Sequence, residues 1–222
     1  MGSRRTAPAA RRSGAAPASA ELRERILCAT RELLRRRRFD SLSVADILTA
    51  AEVSRASFYF YFPSKQAVLG ELVREAVAQG QQAARPWIEG QREPVAALRE
   101  GVRDGAALWR ANAGVLMAIV ESWGSDDGLR ALWLEQMNLF TEAAAARIRS
   151  DPHAGRRLAD ADVRAVAASL TWMGERLYYL AAAGVPPFDD EEVLVDTLTN
   201  AWTSLLYGHA ATHPGTPPSQ AT

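Results

Sequence analysis

The sequence predicts an all-α protein: an N-terminal helix-turn-helix head of three helices followed by a larger C-terminal helical bundle, about nine helices in total. Three observations carry that prediction. Apolar residues recur at steps of three and four along most of the chain, with no sustained two-residue alternation. Two short capped helices joined by a tight turn follow a longer one within residues 21–66, which is the helix-turn-helix pattern. Finally, the stretch Ser54-Arg-Ala-Ser-Phe-Tyr-Phe-Tyr-Phe-Pro-Ser-Lys65 holds five consecutive aromatics in a chain that is only 8% aromatic. Such a run wraps every face of a helix, so some of its rings must face outward.

The elements follow in order. Leu22, Ile26, Ala29 and Leu33 form the first apolar stripe, and Arg35 to Arg38 sit at its C-terminal end, where positive charge suits the helix dipole. Ser43 and Asp46 fit a capping box that opens a second helix, with Val44, Ile47 and Leu48 on its apolar side. Ser54 caps a third helix and Pro63 ends it. Ser64 caps a fourth, running to about Ala84, with Val68, Leu69, Leu72, Val73 and Ala76 inward. Further stripes follow: Val95, Leu98, Val102, Ala106 and Trp109; a short helix over 114–123; then Leu129, Trp133, Met137, Phe140, Ala144 and Ile148. Val163, Val166, Leu170, Met173, Leu177 and Leu180 make the next, and Val195, Leu198, Trp202 and Leu205 the last. The prolines at 86, 94, 152, 186 and 187 read as punctuation.

Composition divides the chain further. Residues 1–20 read as a disordered basic tail, 21–66 as the head, 67–211 as the body, and 212–222 as a disordered polar tail. Residues 1–65 hold 13 Lys and Arg against 6 Asp and Glu, a balance of +7, offset by −7 in the rest. A basic head on an acidic body suggests that the head meets a polyanion. No stretch is long and apolar enough to span a bilayer, and residues 1–20 lack the apolar middle of a signal peptide. The lone Cys28 lies on an apolar helix face and reads as core; a reduced, cytoplasmic setting is the simplest one for a single cysteine. His153, His209 and His213 show no metal spacing, and no glycine-rich phosphate loop or nucleophile–base pair is present. The reading therefore expects no enzyme, no metal and no cofactor.

Within the third helix, Phe58 and Phe62 lie four apart and can both pack inward, which turns Ala56, Ser57, Tyr59 and Phe60 outward. Small and hydroxylated residues let a helix approach a groove closely, and tyrosine hydroxyls and Lys65 can reach phosphate oxygens. The competing reading is a tight aromatic junction that binds nothing. The residues Val53-Ser54, Ser57-Phe58-Tyr59, Phe62 and Lys65 resemble the DNA-binding signature of TetR-family regulators. The variant Phe-Tyr-Phe-Tyr-Phe-Pro-Ser-Lys is similar to the ethionamide-resistance subgroup of that family, and Glu175-Arg176, Trp202 and Tyr207-Gly208 have counterparts there. The resemblance implies a palindromic double-stranded operator contacted by Ser43, Ser54, Arg55, Ser57, Tyr59, Tyr61 and Lys65, with Arg55 and Ser57 best placed for base edges. One position departs from the family pattern: Glu52 stands where the turn residue is usually glycine. A non-glycine with positive φ is uncommon, so the turn there is expected to be either slightly strained or differently shaped.

The body suggests a small-molecule site. Trp133, Met137 and Phe140 share one helix face, and Thr171, Glu175 and Tyr178 share another, apart from the leucine stripe of the same helix. A helix apolar on two faces is buried on two sides, here against a cavity and against a second subunit. With the family resemblance, Leu98, Trp109, Trp133, Met137, Phe140, Thr171, Glu175, Tyr178 and Trp202 are the expected lining for a small hydrophobic or aromatic ligand. Glu175 either orients that ligand or pairs with Arg176 or Arg103. The family also implies a homodimer through the last two helices, with Val193, Leu194, Leu198, Leu205 and Leu206 offering apolar surface. A dimeric ligand-responsive repressor is the leading reading; a helical ligand-binding protein that does not bind DNA is the alternative.

Overall fold

The structure, a computed structural model, describes residues 15–90 and 92–208. The C-terminal tail, His209 and His213 lie outside the described residues, as does the basic tail apart from residues 15–20, which open the first helix. The head consists of α1 (Ala15–Leu34), a 3-10 turn (Phe39–Ser41), α2 (Val44–Ala51) and α3 (Arg55–Tyr61). The body consists of α4 (Lys65–Ile88), α5 (Pro94–Ala111), α6 (Ala113–Ser122), α7 (Asp127–Ser150), α8 (Pro152–Arg157), α9 (Val163–Ala182) and α10 (Glu191–Tyr207). The described residues thus hold ten α-helices and no strand, one helix more than the nine or so expected.

The additional helix is α8. Pro152 reads as a break in the sequence but stands at the first helical position, where its missing N–H costs nothing. Asp151 caps it by accepting from the amides of His153 and Ala154. Pro94 opens α5 in the same way, capped by Glu93. Pro86 breaks nothing either, since α4 runs through it to Ile88. The caps read from sequence are in place. Ser43 and Asp46 form a reciprocal capping box on α2, Ser54 accepts from the Ser57 amide, and Ser64 accepts from the Ala67 amide.

Two of the expected stripes are rotated. On α1 the buried residues are Ile26, Leu27, Thr30 and Leu34, so Leu22, Ala29 and Leu33 flank the core instead of centring it. The same rotation exposes Cys28, which is not the core residue its apolar neighbours suggested. On α9 the buried residues are Ala167, Leu170, Gly174 and Glu175, while Val166, Met173, Leu177 and Leu180 are only half-buried.

The head has no core of its own. Ile26, Leu27, Ile47, Phe58 and Phe62 join Val68 to Val77 of α4, Val115 to Val120 of α6, and Leu129 to Met137 of α7 in one continuous apolar cluster. A second cluster, from α5, α7, α9 and α10, fills the far half of the body. Both α4 and α6 pack against the head. A side-chain carbon on Gly114 would lie 2.4 Å from the Leu34 carbonyl oxygen, so only glycine lets α6 pack against the end of α1.

Candidate functional site

The aromatic run divides by face. Phe58 and Phe62 are buried, with rings 6.2 Å apart. Phe60 is 79% exposed and Tyr59 is 44% exposed. Phe60 rests edge-on against the half-buried Tyr61, their centroids 4.9 Å apart. The Arg55 guanidinium lies over the Tyr59 ring at 5.6 Å. The exposed side of α3 therefore carries Ser54, Arg55, Ala56, Tyr59 and Phe60, with the Ser57 hydroxyl bonded to that of Ser54 at 2.9 Å. Ser43 stands exposed at the start of α2, its hydroxyl donating to Asp46 at 2.6 Å. That bond, the Ser43 amide and Arg37 hold the Asp46 carboxyl down at about 2.

Lys65 is placed differently from the expectation of a phosphate contact. Its ammonium donates to the carbonyl oxygens of Phe39 and Leu42, approaches that of Asp40 at 3.4 Å, and lies 4.6 Å from the centre of the Phe39 ring. An ammonium has three donors, and all three point at the 3-10 turn. Lys65 thus fastens the start of α4 to the α1–α2 connection.

Glu52 has φ 52° and ψ 46°, so of the two alternatives the turn keeps its left-handed shape at the cost of strain; it is the one non-glycine with positive φ among the described residues. Arg25 of α1 clamps the turn by donating to the carbonyls of Ala51 (2.6 Å) and Glu52 (2.9 Å). The Glu52 carboxylate lies 3.7 Å from the same guanidinium.

The basic run after α1 is largely engaged. Arg35 pairs with Glu32 and Arg37 with Asp46, while Arg38 lies 3.1 Å from Glu121 of α6. The same Glu121 accepts from the Tyr179 hydroxyl of α9 at 3.2 Å. The Arg176 guanidinium lies over the Tyr179 ring at 5.1 Å and 3.9 Å from the Glu175 carboxylate. A chain of polar contacts thus runs from Glu175 to Arg38 in the head.

Glu175 belongs to the wall of an apolar cavity enclosed by α4, α5, α7, α9 and α10. Its free volume is about 180 Å³, within about 920 Å³ of atom-free space that includes the open mouth. Leu98, Trp109, Met137, Phe140, Thr171, Glu175, Tyr178 and Trp202 all line it, as expected. Trp133 does not; it is buried behind Glu175, with its indole N–H toward the carboxylate but outside hydrogen-bond geometry and without another partner. Burial raises the Glu175 carboxyl above its usual range, and Arg176 and Trp133 offset this only in part. Of the two structural partners considered, Arg176 is the one present, since Arg103 pairs with Glu192.

Of the glycines in the wall, the sequence drew notice only to Gly174, which stands where the resembled family often has a polar amide; Gly80, Gly101 and Gly105 went unrecognised. Gly101 and Gly105 lie four apart on α5, with Gly80 on α4 and Gly174 on α9. Glycine inside a helix costs about 1 kcal/mol against alanine, and that spacing was the available signal. At Gly105 a side-chain carbon would meet the Tyr178 hydroxyl at 2.6 Å. Its absence lets that hydroxyl donate to the Val102 carbonyl at 3.1 Å and lets the ring stack on Trp109, 6.2 Å between centroids. Burial, with the charge of Asp104, raises the Tyr178 hydroxyl far above its ordinary value, so it stays neutral.

The described residues thus join a helix-turn-helix head, whose third helix turns polar and aromatic side chains outward, to a helical body around an apolar cavity. Residues 26–72 match the family described as bacterial regulatory proteins, tetR family, and residues 98–208 match the EthR C-terminal domain. The chain is 30% identical over 202 residues to the HTH-type transcriptional regulator EthR of Mycolicibacterium smegmatis, covering 90% of this chain and 93% of that one. It is 31% identical to EthR of Mycobacterium tuberculosis, covering 86% and 89%. The chain belongs to the TetR family and is a regulator of the EthR type. Among solved structures, a putative TetR-family regulator from Syntrophomonas wolfei superposes with TM-score 0.70 at 17% identity, covering 87% of this chain and 99% of that one. Thermus thermophilus FadR, a TetR-family repressor in complex with lauroyl-CoA, superposes with TM-score 0.62 at 25% identity, covering 89% and 100%. The protein is accordingly a DNA-binding transcriptional regulator and not an enzyme.

Proposed function

We propose that the chain is a dimeric repressor, acting in the cytoplasm, that leaves a palindromic operator when a small apolar or aromatic ligand enters the body cavity. The observation that carries this reading is the cavity with its polar chain to the head: Glu175, Arg176, Tyr179, Glu121 and Arg38 connect its wall to the basic run after α1. A ligand shifts an equilibrium only through different affinities for two states. One that moves α9 alters the Tyr179–Glu121 bond and so the seating of α6 against the head. The lauroyl-CoA complex of the Thermus repressor supports an apolar ligand for this fold.

Dimerisation is supported by the outer face of α9 and α10. Val166, Met173, Leu177 and Leu180 are half-buried, and Val193 and Leu205 are each 39% exposed. Leu194, Leu198 and Leu206 do not contribute, because they are spent in the protomer's own core at 2%, 1% and 0% exposure. For DNA recognition we assign the contacts to Ser43, Ser54, Arg55, Ser57, Tyr59 and Tyr61, with Lys65 shaping the surface from within. No helix among the described residues is long and apolar enough to cross a membrane.

The test is a gel shift on the DNA flanking the protein's own gene, with stoichiometry from analytical ultracentrifugation. Retardation by two chains per site, lost when one half-site is scrambled, is the expected result. Binding as a monomer to single half-sites, or no binding at low salt, would refute it.

A further inference from the structure

The charge of the ligand is written in the cavity wall, provided that the cavity is a ligand site as proposed above. The lining is apolar and rich in rings: Trp87, Trp109, Phe140, Tyr178 and Trp202. Its polar atoms are few. The Tyr178 hydroxyl is already committed to the Val102 carbonyl. Thr171 contributes one hydroxyl, and Gly174 offers no side-chain polar group, a Cβ there meeting only the Tyr178 ring at 3.8 Å. Glu175 remains, 5% exposed; the one donor near its carboxylate is the Trp133 indole N–H behind it, short of hydrogen-bond geometry, and its one ion pair, at 3.9 Å, is to an Arg176 side chain that is itself 52% exposed. A carboxylate can accept about four hydrogen bonds, and one left unsatisfied in an apolar wall is costly. What would satisfy it is a donor, best a charged one, since charge-assisted bonds are roughly twice as strong as neutral ones. The ring faces around it favour a cation as well, through attraction to their negative π-surfaces. An anionic end would face Glu175 at close range with only a half-exposed guanidinium to offset the repulsion.

We propose that the cavity takes an apolar or aromatic molecule bearing a basic amine, with the ammonium on Glu175 and the apolar part among Trp109, Phe140 and Trp202. A free volume of about 180 Å³ suits a single ring with a short alkyl chain, since a dry cavity of about 150 Å³ already holds benzene.

The test uses three molecules of equal shape, phenylbutylamine, phenylbutanol and phenylbutyrate, titrated into the full-length protein at neutral pH and followed by tryptophan fluorescence. The amine is expected to bind about tenfold or more tighter than the acid, with the alcohol between. Glu175→Gln is expected to erase that order, while a thermal melt confirms its fold. Equal or tighter binding of the acid to the wild-type protein would overturn the assignment of charge while leaving the cavity as a ligand site. Binding of none of the three would overturn the cavity reading itself.

Discussion

Lys65 is the only lysine in the chain. Its position just after an aromatic run invites a phosphate role, yet its ammonium is turned inward onto carbonyls of the 3-10 turn. The sequence shows a charge but not the carbonyls that a turn 25 residues away will present to it. Lys65→Ala is therefore expected to destabilise the fold by about 2 kcal/mol, the scale of lost charged hydrogen bonds, in a urea titration. It should also leave the salt slope of operator binding unchanged, where a phosphate contact would lower it by about one unit. Glu52 was legible as an unusual turn residue, and the structure adds the Arg25 clamp that holds it. Relieving a left-handed non-glycine gains about 1 kcal/mol, so Glu52→Gly should raise the unfolding free energy from a urea titration by that amount with no loss of operator affinity. Glu175 gives a pH signature. Its folded pKa is raised by burial, so the folded state binds this proton more tightly than the unfolded chain. Its contribution to stability is fullest below the ordinary 4.5 and is lost as pH rises through the folded value. The melting temperature of Glu175→Gln should pull ahead of the wild type as pH rises over that window, in parallel calorimetric scans.

At the scale of the element, periodicity located nearly every helix and the serine caps fixed their starts, because both are local properties of the chain. Periodicity did not fix the rotation of α1 and α9. Apolar residues flank both sides of those helices, and the partner helix decides which side is core; Cys28 emerged on the surface for this reason. On α9 the division of faces was legible all the same: Thr171, Glu175 and Tyr178 line the cavity as expected, while Met173, Leu177 and Leu180 are left half-buried on the other side. The role of α6 was illegible, since nothing local marks Gly114 as a close approach. Gly114→Ala places a methyl against a backbone carbonyl that cannot rotate away. It is expected to cost about 1–3 kcal/mol, the range for overpacking. Circular dichroism melts should show the loss, and operator binding should weaken with it as α6 is displaced from α1.

At the scale of the whole molecule, the head and the near half of the body share one apolar cluster, and the cavity lies where that cluster meets the second, walled by Trp109 and Met137 of the first and Leu98, Leu170 and Leu198 of the second. That arrangement couples the two: no joint isolates the recognition helix from α4 and α6, and a rearrangement of α9 is passed on through Tyr179 and Glu121. Eight of the nine expected cavity residues were legible because aromatics at helical spacing on several helices converge when the bundle closes. Trp133 was not, because sequence alone cannot separate the wall of a cavity from the layer behind it. The most direct test of this coupling fills the cavity without a ligand. A side-chain carbon on Gly174 meets nothing nearer than Tyr178 at 3.8 Å, so Gly174→Met projects a flexible side chain into the free volume and favours the helix besides. The measurement is operator affinity by fluorescence anisotropy, beside a thermal melt. A fold at least as stable as the wild type with affinity weakened about tenfold, within the usual range of allosteric coupling, is the predicted result. Undiminished affinity in the folded variant would contradict it.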